Sequence, residues 1–369
     1  AGLKWSFMPR PKTRQHYLCV NADESEPGTF KDRVLIEKDP HLVIEGSMIS
    51  AYAIRADICF IYIRGEFVEP ARILQKAIDE AYAKGYAGKN LLGSGWNCDI
   101  YVHSGAGAYI CGEETALMNS LEGDRGEPRF KPPFPAQHGV WGCPTTINNV
   151  ETLACVPSIM ERGGEWFVSA GKDERNSGPK LYCLSGHVKR PGVYEAPMGL
   201  PLMELINDLG GGMLHDDRPL KACIPGGSSV PVLTADECNV DLDFDALAQA
   251  GSALGSAGVM IMDSSTCMVN ALLRLAHFYA HESCGQCTPC RQGTHWMEDI
   301  LHRIENGQGK SEDIDVLKSV ADNIEGNTIC ALGDAAAWPV QSFVKKFRDE
   351  FQAHVDAGKC TLQTRYEVG

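Results

Sequence analysis

Three cysteines at intervals of three, Cys284, Cys287 and Cys290, lie in the run E-S-C-G-Q-C-T-P-C-R-Q-G-T between Glu282 and Thr294. A fourth, Cys330, follows in N-T-I-C-A-L-G-D. Three thiolates from one C-x2-C-x2-C turn plus one from elsewhere is a ligand pattern of [4Fe–4S] clusters. Gly285 and the Thr288–Pro289 pair suit the tight turns needed to wrap backbone around a cubane. Zinc also accepts four thiolates, though usually from two separated pairs. A redox C-x-x-C pair would leave the third cysteine without a part. The spacing favours iron and sulfur, with structural zinc and uncoordinated thiols as the alternatives.

Other stretches carry ligand-binding chemistry. In N-A-D-E-S-E-P-G-T-F, Asp23, Glu24 and Glu26 crowd within four residues, either as a solvated acidic turn or as acceptors for ribose and amide groups. The turn S-G-A-G-A-Y-I-C-G from Ser104 to Gly112 allows close backbone approach to a ligand, and the E-E-T-A-L that follows opens a helix with spare amides. It departs from G-x-G-x-x-G at Ile110. Arg129, Lys131 and Phe134 in P-R-F-K-P-P-F-P either meet a phosphate and stack a base or form a rigid connector. Asn148 and Asn149 stand side by side, with amides that donate and accept.

These loops need elements to hold them. Tyr17–Val20 and Asp57–Ile63 are apolar runs of the kind that form strands covered on both faces, and Ile100–Val102 predicts a third. Ile73, Leu74, Ala77, Ile78 and Ala81 share one face of a helix that opens at Pro70 and stops before Gly85. Alternating strand and helix is α/β architecture, whose ligands gather at loops beyond the strand ends. From about Ser177 the pattern becomes strand, turn at Pro191–Gly192, strand, short amphipathic helix and strand again, a small module with an architectural role.

From about Asp263 four helices are expected. The first is capped by Asp263 and Ser264 and carries Val269, Leu272, Leu273 and Ala276. The second carries Trp296, Met297, Ile300, Leu301 and Ile304. The third opens at Ser311-Glu312-Asp313 and carries Ile314, Leu317, Val320, Ala321 and Ile324. The fourth starts at Pro339 and carries Val340, Phe343, Val344, Phe347 and Phe351. The four thiols then fall on two inter-helix loops that must share one end of a bundle. His277, His281 and His295 flank them and read as ordinary polar or packing residues.

The whole chain sets limits. Its 369 residues suffice for two or three domains, and a formal charge of −14 argues against non-specific nucleic-acid binding. Fifteen cysteines cannot all pair, and no signal peptide stands before them, which points to a reducing compartment. The most apolar run, Leu254–Met262, is broken by glycines and ends at Asp263, so no direct membrane insertion is expected. The opening A-G-L-K-W-S-F, without methionine, reads as a piece that begins inside a longer protein.

Taken in order, G-L-K-W-S-F at 2–7, N-A-D-E-S-E-P-G-T-F-K-D-R at 21–33, Y-I-R-G-E-F at 62–67, G-A-G-A-Y-I-C-G-E-E-T-A-L at 105–117, K-P-P-F-P at 131–135 and G-C-P-T-T-I-N-N-V-E-T at 142–152 are specific stretches. Together with the cysteine run and I-C-A-L-G-D-A-A-A-W-P, they resemble the NADH-oxidising flavoprotein subunits of respiratory complex I, the NADH:quinone oxidoreductase. The resemblance spans essentially all of the chain. It implies FMN, NADH/NAD and one [4Fe–4S] cluster. It also implies a Rossmann-like α/β FMN/NADH domain over 1–172 that lacks the family's N-terminal glycine-rich part. A ubiquitin-like β-grasp module over 173–260 and a C-terminal four-helix bundle carrying the cluster over 261–369 complete the expected layout.

By motif matching, the resemblance implies FMN held by Lys4, Asn21, Asp23, Gly105, Gly107, Gly112, Glu113, Glu114, Asn148 and Asn149. It implies NADH stacked on Phe7 and Phe134, with Glu24, Glu26, Tyr109 and Lys131 nearby, and the cluster on Cys284, Cys287, Cys290 and Cys330. No side chain is expected to act as a catalyst: hydride goes from NADH to FMN, then single electrons go to the cluster, partner subunits and quinone. The implied partners are the [2Fe–2S] subunit and the large iron–sulfur subunit of the complex I peripheral arm. The implied location is the cytoplasmic side of the bacterial inner membrane or the mitochondrial matrix. The diaphorase subunit of an NAD-linked hydrogenase or formate dehydrogenase is the runner-up. A zinc-stabilised scaffold without turnover is the alternative from another class.

Overall fold

The apolar runs of the first third pair as a four-stranded parallel sheet in the computed structural model, which describes residues 1–362. Its strands are β1 (Tyr17–Ala22), β2 (Ile58–Ile63), β3 (Asp99–Ser104) and β4 (Thr145–Asn149), in the order β3-β2-β1-β4. Tyr17 stands beside both Ile58 and Thr145, and Ile58 beside Asp99. Parallel neighbours require crossovers, which here carry helices. These are α1 (Lys31–Lys38) and α2 (Pro40–Ile54) after β1, α3 (Val68–Ala83) after β2 and α4 (Glu114–Glu122) after β3. Leu18, Val20, Cys59 and Ile61 are fully buried with Val43, Leu74 and Ile78, so β1 and β2 read as near-continuous apolar runs.

β1 and β3 run two residues past the apolar stretches that announce them, which puts the polar Asn21 inside β1. α3 starts two residues before Pro70, which then lies in the first turn, where its missing amide costs nothing. The pattern does not announce α1 and α2; α2 buries Val43, Ile44, Ser47, Met48 and Ala51 on more than one side and so shows little amphipathic signal.

Ala1–Ser25 and Phe30–Phe167 form this first unit; Glu26–Thr29 and the residues from Val168 form a second. The second contains β5 (Pro179–Gly186), β6 (Gly192–Pro197), β7 (Leu220–Ile224), β8 (Leu233–Thr234) and β9 (Gly258–Asp263), in the order β6-β5-β9-β7-β8. β5 is antiparallel to β6 across the Pro191–Gly192 turn and parallel to β9. Tyr182, Leu184, Leu202, Leu205, Leu242 and Val259 fill the core beneath this sheet. The expected boundary at 260 falls inside β9, and residues 363–369 of the expected third domain lie outside the described residues.

Four helices follow: α5 (Met268–Glu282), α6 (Thr288–Glu305), α7 (Ser311–Ile324) and α8 (Leu332–Ala357). α5 packs on α6 and α8, and α7 packs on the same two. The buried faces include Leu272 and Ala276, Ile300 and Ile304, Leu317 and Ala321, Phe343 and Phe351, as the 3.6-residue period predicts. Trp296 instead faces outward.

Three local expectations are corrected. Cys267, not Asp263 or Ser264, caps α5, its sulfur accepting from Asn270 N at 3.3 Å. Asp263 closes the end of β9, accepting from Ser265 N at 2.9 Å. α8 begins at Leu332 and runs through Pro339, and its break in helical geometry comes at Phe347 (φ −125°, ψ 24°). Cys290 lies in the first turn of α6 and not on a loop.

Candidate functional site

The four parallel strands end at one edge, and every crossover leaves from it. The order β3-β2-β1-β4 reverses between β1 and β4, where diverging loops open a crevice. Asn21 on β1 stands in register with Asn149 on β4, and Asn148 with Val20. Asn21 Nδ2 donates to Gly112 O at 2.8 Å, and its Oδ1 accepts from Asp23 N at 3.1 Å, tying β1 to the glycine-rich turn. Asn148 Oδ1 accepts from the Trp5 indole at 2.9 Å. Asn149 Nδ2 donates to Asp32 Oδ2 at 2.7 Å. A Cβ on Gly65 would lie 2.6 Å from Gly105 O, and Gly107 has φ +91°, so this turn is seated backbone to backbone on the end of β2.

A balanced charge cluster lies on the same edge. Glu113 caps α4, its Oε2 accepting from Thr115 N at 2.8 Å and Ala116 N at 3.0 Å. Its Oε1 pairs with Lys131 at 3.1 Å. Lys4 and Lys131 each approach Glu114 to 2.8 Å, one on each carboxylate oxygen. Burial works against ionisation of Glu114, but the two lysines outweigh it and hold its carboxyl below the ordinary range. Phe7 and Phe134 are 61% and 54% exposed, each three residues along from one of those lysines. Tyr109 opens the short 3-10 turn Tyr109–Gly112.

The acidic loop is not a solvated turn. Asp23 and Glu24 are buried. Glu24 reaches forward to accept from Lys31 N (2.7 Å), Asp32 N (2.8 Å) and Arg33 N (3.1 Å), capping α1 from a distance. Burial, with Asp32 beside it, raises its carboxyl well above the usual range. Buried Lys31 pairs with Asp32 at 2.8 Å and Glu151 at 3.0 Å. Residue-by-residue reading of the loops passes over this ionic group, although K-D-R and N-V-E both lie within the family-like motifs. Arg129 is held by Glu122 at 2.7 Å and Asn119 at 2.6 Å, which makes it the connector of its proline-rich segment. In the second unit, Glu26 Oε1 accepts from Ser229 N at 3.1 Å and from the Ser229 hydroxyl.

The crevice fits a flavin nucleotide. The polar side chains of Asn21, Asn148, Asn149 and Lys4 gather on this edge, and the Ser25 hydroxyl is buried with no hydrogen-bond partner among the described residues, a set whose chemistry suits such a group.

The cysteine run occupies the connection from α5 to α6. Gly285 turns it with φ +79°, and Arg291 Nη1 donates to Gly285 O at 3.0 Å across it. Burial pushes the Cys290 thiol up to about 11; Ser283 works against that, and Cys287 and Cys284 add to it. Gly293, one turn into α6, touches the end of α7: a Cβ there would lie 2.5 Å from Ile324 Cδ1. The connection carrying Cys330 leaves α7 at this point. The helices therefore present Cys284, Cys287, Cys290 and Cys330 at one end. Soft sulfurs at the start of α6, where the helix dipole favours negative charge, suit a thiolate-ligated cluster. His277, His281 and His295 are mostly exposed, and His277 pairs with Glu298 at 2.6 Å.

Residues 1–158 match the family model described as the Nuo51 FMN-binding domain, 181–233 the SLBB domain, and 270–354 the NADH-ubiquinone oxidoreductase-F iron-sulfur binding region. Fold and matched regions define a flavin- and iron–sulfur-bearing electron-transfer subunit. The NADH-quinone oxidoreductase F subunit of Rickettsia typhi is 55% identical over 354 residues, 96% of this chain and 84% of that protein. The second such F subunit of Rhizobium meliloti is 55% identical over 359 residues, 97% of this chain and 85% of that protein. The chain belongs to the family of NADH-quinone oxidoreductase F subunits. Among solved structures, an NAD+-reducing [NiFe]-hydrogenase in the H2-reduced state superposes with a TM-score of 0.87 at 34% identity, covering 96% of this chain and 58% of the hydrogenase chain. The air-oxidized state gives 0.85 at 33%, covering 99% and 64%.

Proposed function

We propose that this chain is the NADH-oxidising subunit of an NADH-quinone oxidoreductase, taking hydride from NADH and delivering electrons singly to a [4Fe–4S] cluster and onward to partner subunits and quinone. The observation that carries this is the gathering of Asn21, Asn148, Asn149, Lys4 and Glu114 at the point where strand order reverses, in a chain whose helices bring four cysteines to one end. Bound FMN supplies the change from a two-electron hydride to single electrons.

The chain's own residues bind and orient. Asn21, Asn148, Asn149 and the turn through Gly105, Gly107 and Gly112 hold the flavin ring, with Asp23, Glu113, Glu114 and Lys4 setting the charge around it. Phe7 and Phe134 stack NADH, with Tyr109 and Lys131 alongside. Glu24 and Glu26 belong to the NADH side of this reading; Glu24, capping α1, acts by fixing the loop. Cys284, Cys287, Cys290 and Cys330 are the thiolate ligands.

The domains of this reading are 1–172, 173–260 and 261–369. A mixed five-stranded sheet whose first and last strands, β5 and β9, lie parallel at its centre supports a ubiquitin-like β-grasp for the middle one. Helices that each pack on at least two of the others support a four-helix bundle for the last. Partners of the peripheral-arm kind, a [2Fe–2S] subunit and a large iron–sulfur subunit, fit a chain whose relatives are each named as one subunit of a complex. No helix among the described residues is long and apolar enough to cross a membrane. This fits attachment through partners on the cytoplasmic side of a bacterial inner membrane, or in the mitochondrial matrix. The hydrogenase diaphorase reading has less behind it, at 34% identity against 55%.

Anaerobic mixing of the full-length protein with excess NADH, followed by cryogenic EPR, tests the proposal. Bleaching of the flavin band and a reduced-cubane signal are expected. A protein that releases no flavin on denaturation, or whose iron gives no signal after NADH, would overturn it.

A further inference from the structure

The helices have a second end, where three donors meet with a carboxylate beside two of them. One donor atom each of Cys267, His354 and Cys360 lies within 4.8 Å of the other two. Cys267 Sγ stands 3.3 Å from His354 Nε2. Glu305 Oε2 is 3.7 Å from that nitrogen and 4.0 Å from that sulfur. Cys267 and His354 are buried, and Cys360 is half-buried.

The surrounding hydrogen bonds turn lone pairs toward a common centre. His354 Nδ1 lies 2.9 Å from Glu350 O, a carbonyl that can only accept, so Nδ1 carries the proton and Nε2 the lone pair. Asn270 N donates to Cys267 Sγ at 3.3 Å at the N-terminus of α5, which fixes the position of that sulfur. Asn270 Nδ2 donates to Glu305 Oε1 at 3.1 Å and leaves Oε2 facing the group.

We propose that Cys267, His354 and Cys360, with Glu305 as fourth ligand, bind a zinc ion that clasps the end of α8 and the residues after it to the start of α5 and the end of α6. Bonds of about 2.3 Å to sulfur and about 2.0 Å to nitrogen at a tetrahedral angle place the two donors about 3.5 Å apart, close to the 3.3 Å between Cys267 and His354. Two thiolates, an imidazole and a carboxylate are a borderline-soft set that suits zinc and not calcium or magnesium. On binding, the two thiols lose their protons to solvent and no electrons are exchanged. A cavity of about 590 Å³ lined by Thr266, Cys267, Asn270, His302, Glu305 and Cys360, among others, gives the ion a way in. Cys267 and Cys360 lie outside residues 270–354, the stretch matched as an iron–sulfur region. Glu305 and His354 lie within it, but Cys267 stands before the start of α5 and Cys284 after its end, so the site is separate from the cysteine run.

Zinc, iron and flavin measured together in the purified full-length protein decide the matter. About one zinc per chain is expected beside the iron, with zinc-edge X-ray absorption showing two sulfur neighbours at about 2.3 Å. Cys360→Ser and His354→Gln should each lower zinc roughly tenfold or more and leave the iron-to-flavin ratio unchanged. The half-buried Cys360→Ser variant serves if His354→Gln does not fold. Three results would overturn the proposal: no zinc even after incubation with ZnCl2 under reducing conditions, zinc retained in Cys360→Ser, or a Cys267–Cys360 disulfide in anaerobically alkylated protein.

Discussion

Helices α5, α6 and α8 carry metal-binding chemistry at both ends, and the two ends are built differently. At one end, three cysteines fall within a seven-residue run that bends around its own centre, and packing has only to bring in Cys330. At the other, about 22 Å away along the 15 residues of α5, Cys267, Glu305, His354 and Cys360 come from four places in the chain and meet only because the helices pack. The first arrangement suits donors spread around a cubane; the second holds three of its donor atoms, those of Cys267, His354 and Cys360, close enough for a single ion. A local run tolerates movement between helices, whereas an assembled site reports it.

Two substitutions test that separation most sharply. Cys330→Ser should remove iron and lower electron transfer to acceptors beyond the cluster by roughly 100-fold, while stopped-flow absorbance still shows NADH bleaching the flavin. Zinc content should not change. The complementary change, Cys267→Ala, should leave iron in place and lower the melting temperature of the second unit by about 5–10 °C, the size expected for losing a few kcal/mol of metal-coupled folding energy. If either substitution emptied both ends, the two sites would be one cooperative unit and the contrast would fail.

The same contrast explains what the sequence makes legible. The run Cys284–Cys290 is readable because ligand spacing survives without a fold. β1 and β2 are readable because strands buried on both faces are continuously apolar, and α6 because Ile300 and Ile304 keep the helical period. The second end is not: His354 sits between Phe351 and Val355 and reads as a packing residue, and Cys267 follows Asp263 and Ser264, which are better cap types. Nor does loop composition disclose that Glu24 is spent on the amides of α1, because the acceptor and its donors meet only after β1 and α1 take their places. Pro339 reads as a helix start because proline favours first turns, but α8 already has a full turn before it.

The flavin crevice is another assembled site, and each of its polar side chains should carry only part of the binding. Asn148→Ala removes the acceptor of the Trp5 indole and an amide proposed above to hold the flavin. A loss of about 1–1.5 kcal/mol predicts FMN binding roughly tenfold weaker by fluorescence titration, with iron and zinc unaffected. Unchanged FMN affinity would place the ring elsewhere on the sheet edge.

The smallest effect concerns Glu114, held below the ordinary carboxyl range by Lys131 and Lys4 against the opposing pull of burial. A carboxylate whose folded pKa is depressed binds fewer protons in the folded than in the unfolded chain. Its stabilising contribution is therefore complete above the unfolded value of about 4.3 and disappears as pH falls from there through the folded value. Urea unfolding of the first unit between pH 6 and pH 3 should show a steeper loss for the unaltered protein than for Glu114→Gln, which has no charge to lose. The difference should be within about 1 kcal/mol, because the lysines are partly exposed and solvent screens the pair. Equal slopes would mean that Lys4 and Lys131 exchange this carboxylate for water at no cost, and the charge cluster would then owe its geometry to the bound nucleotide.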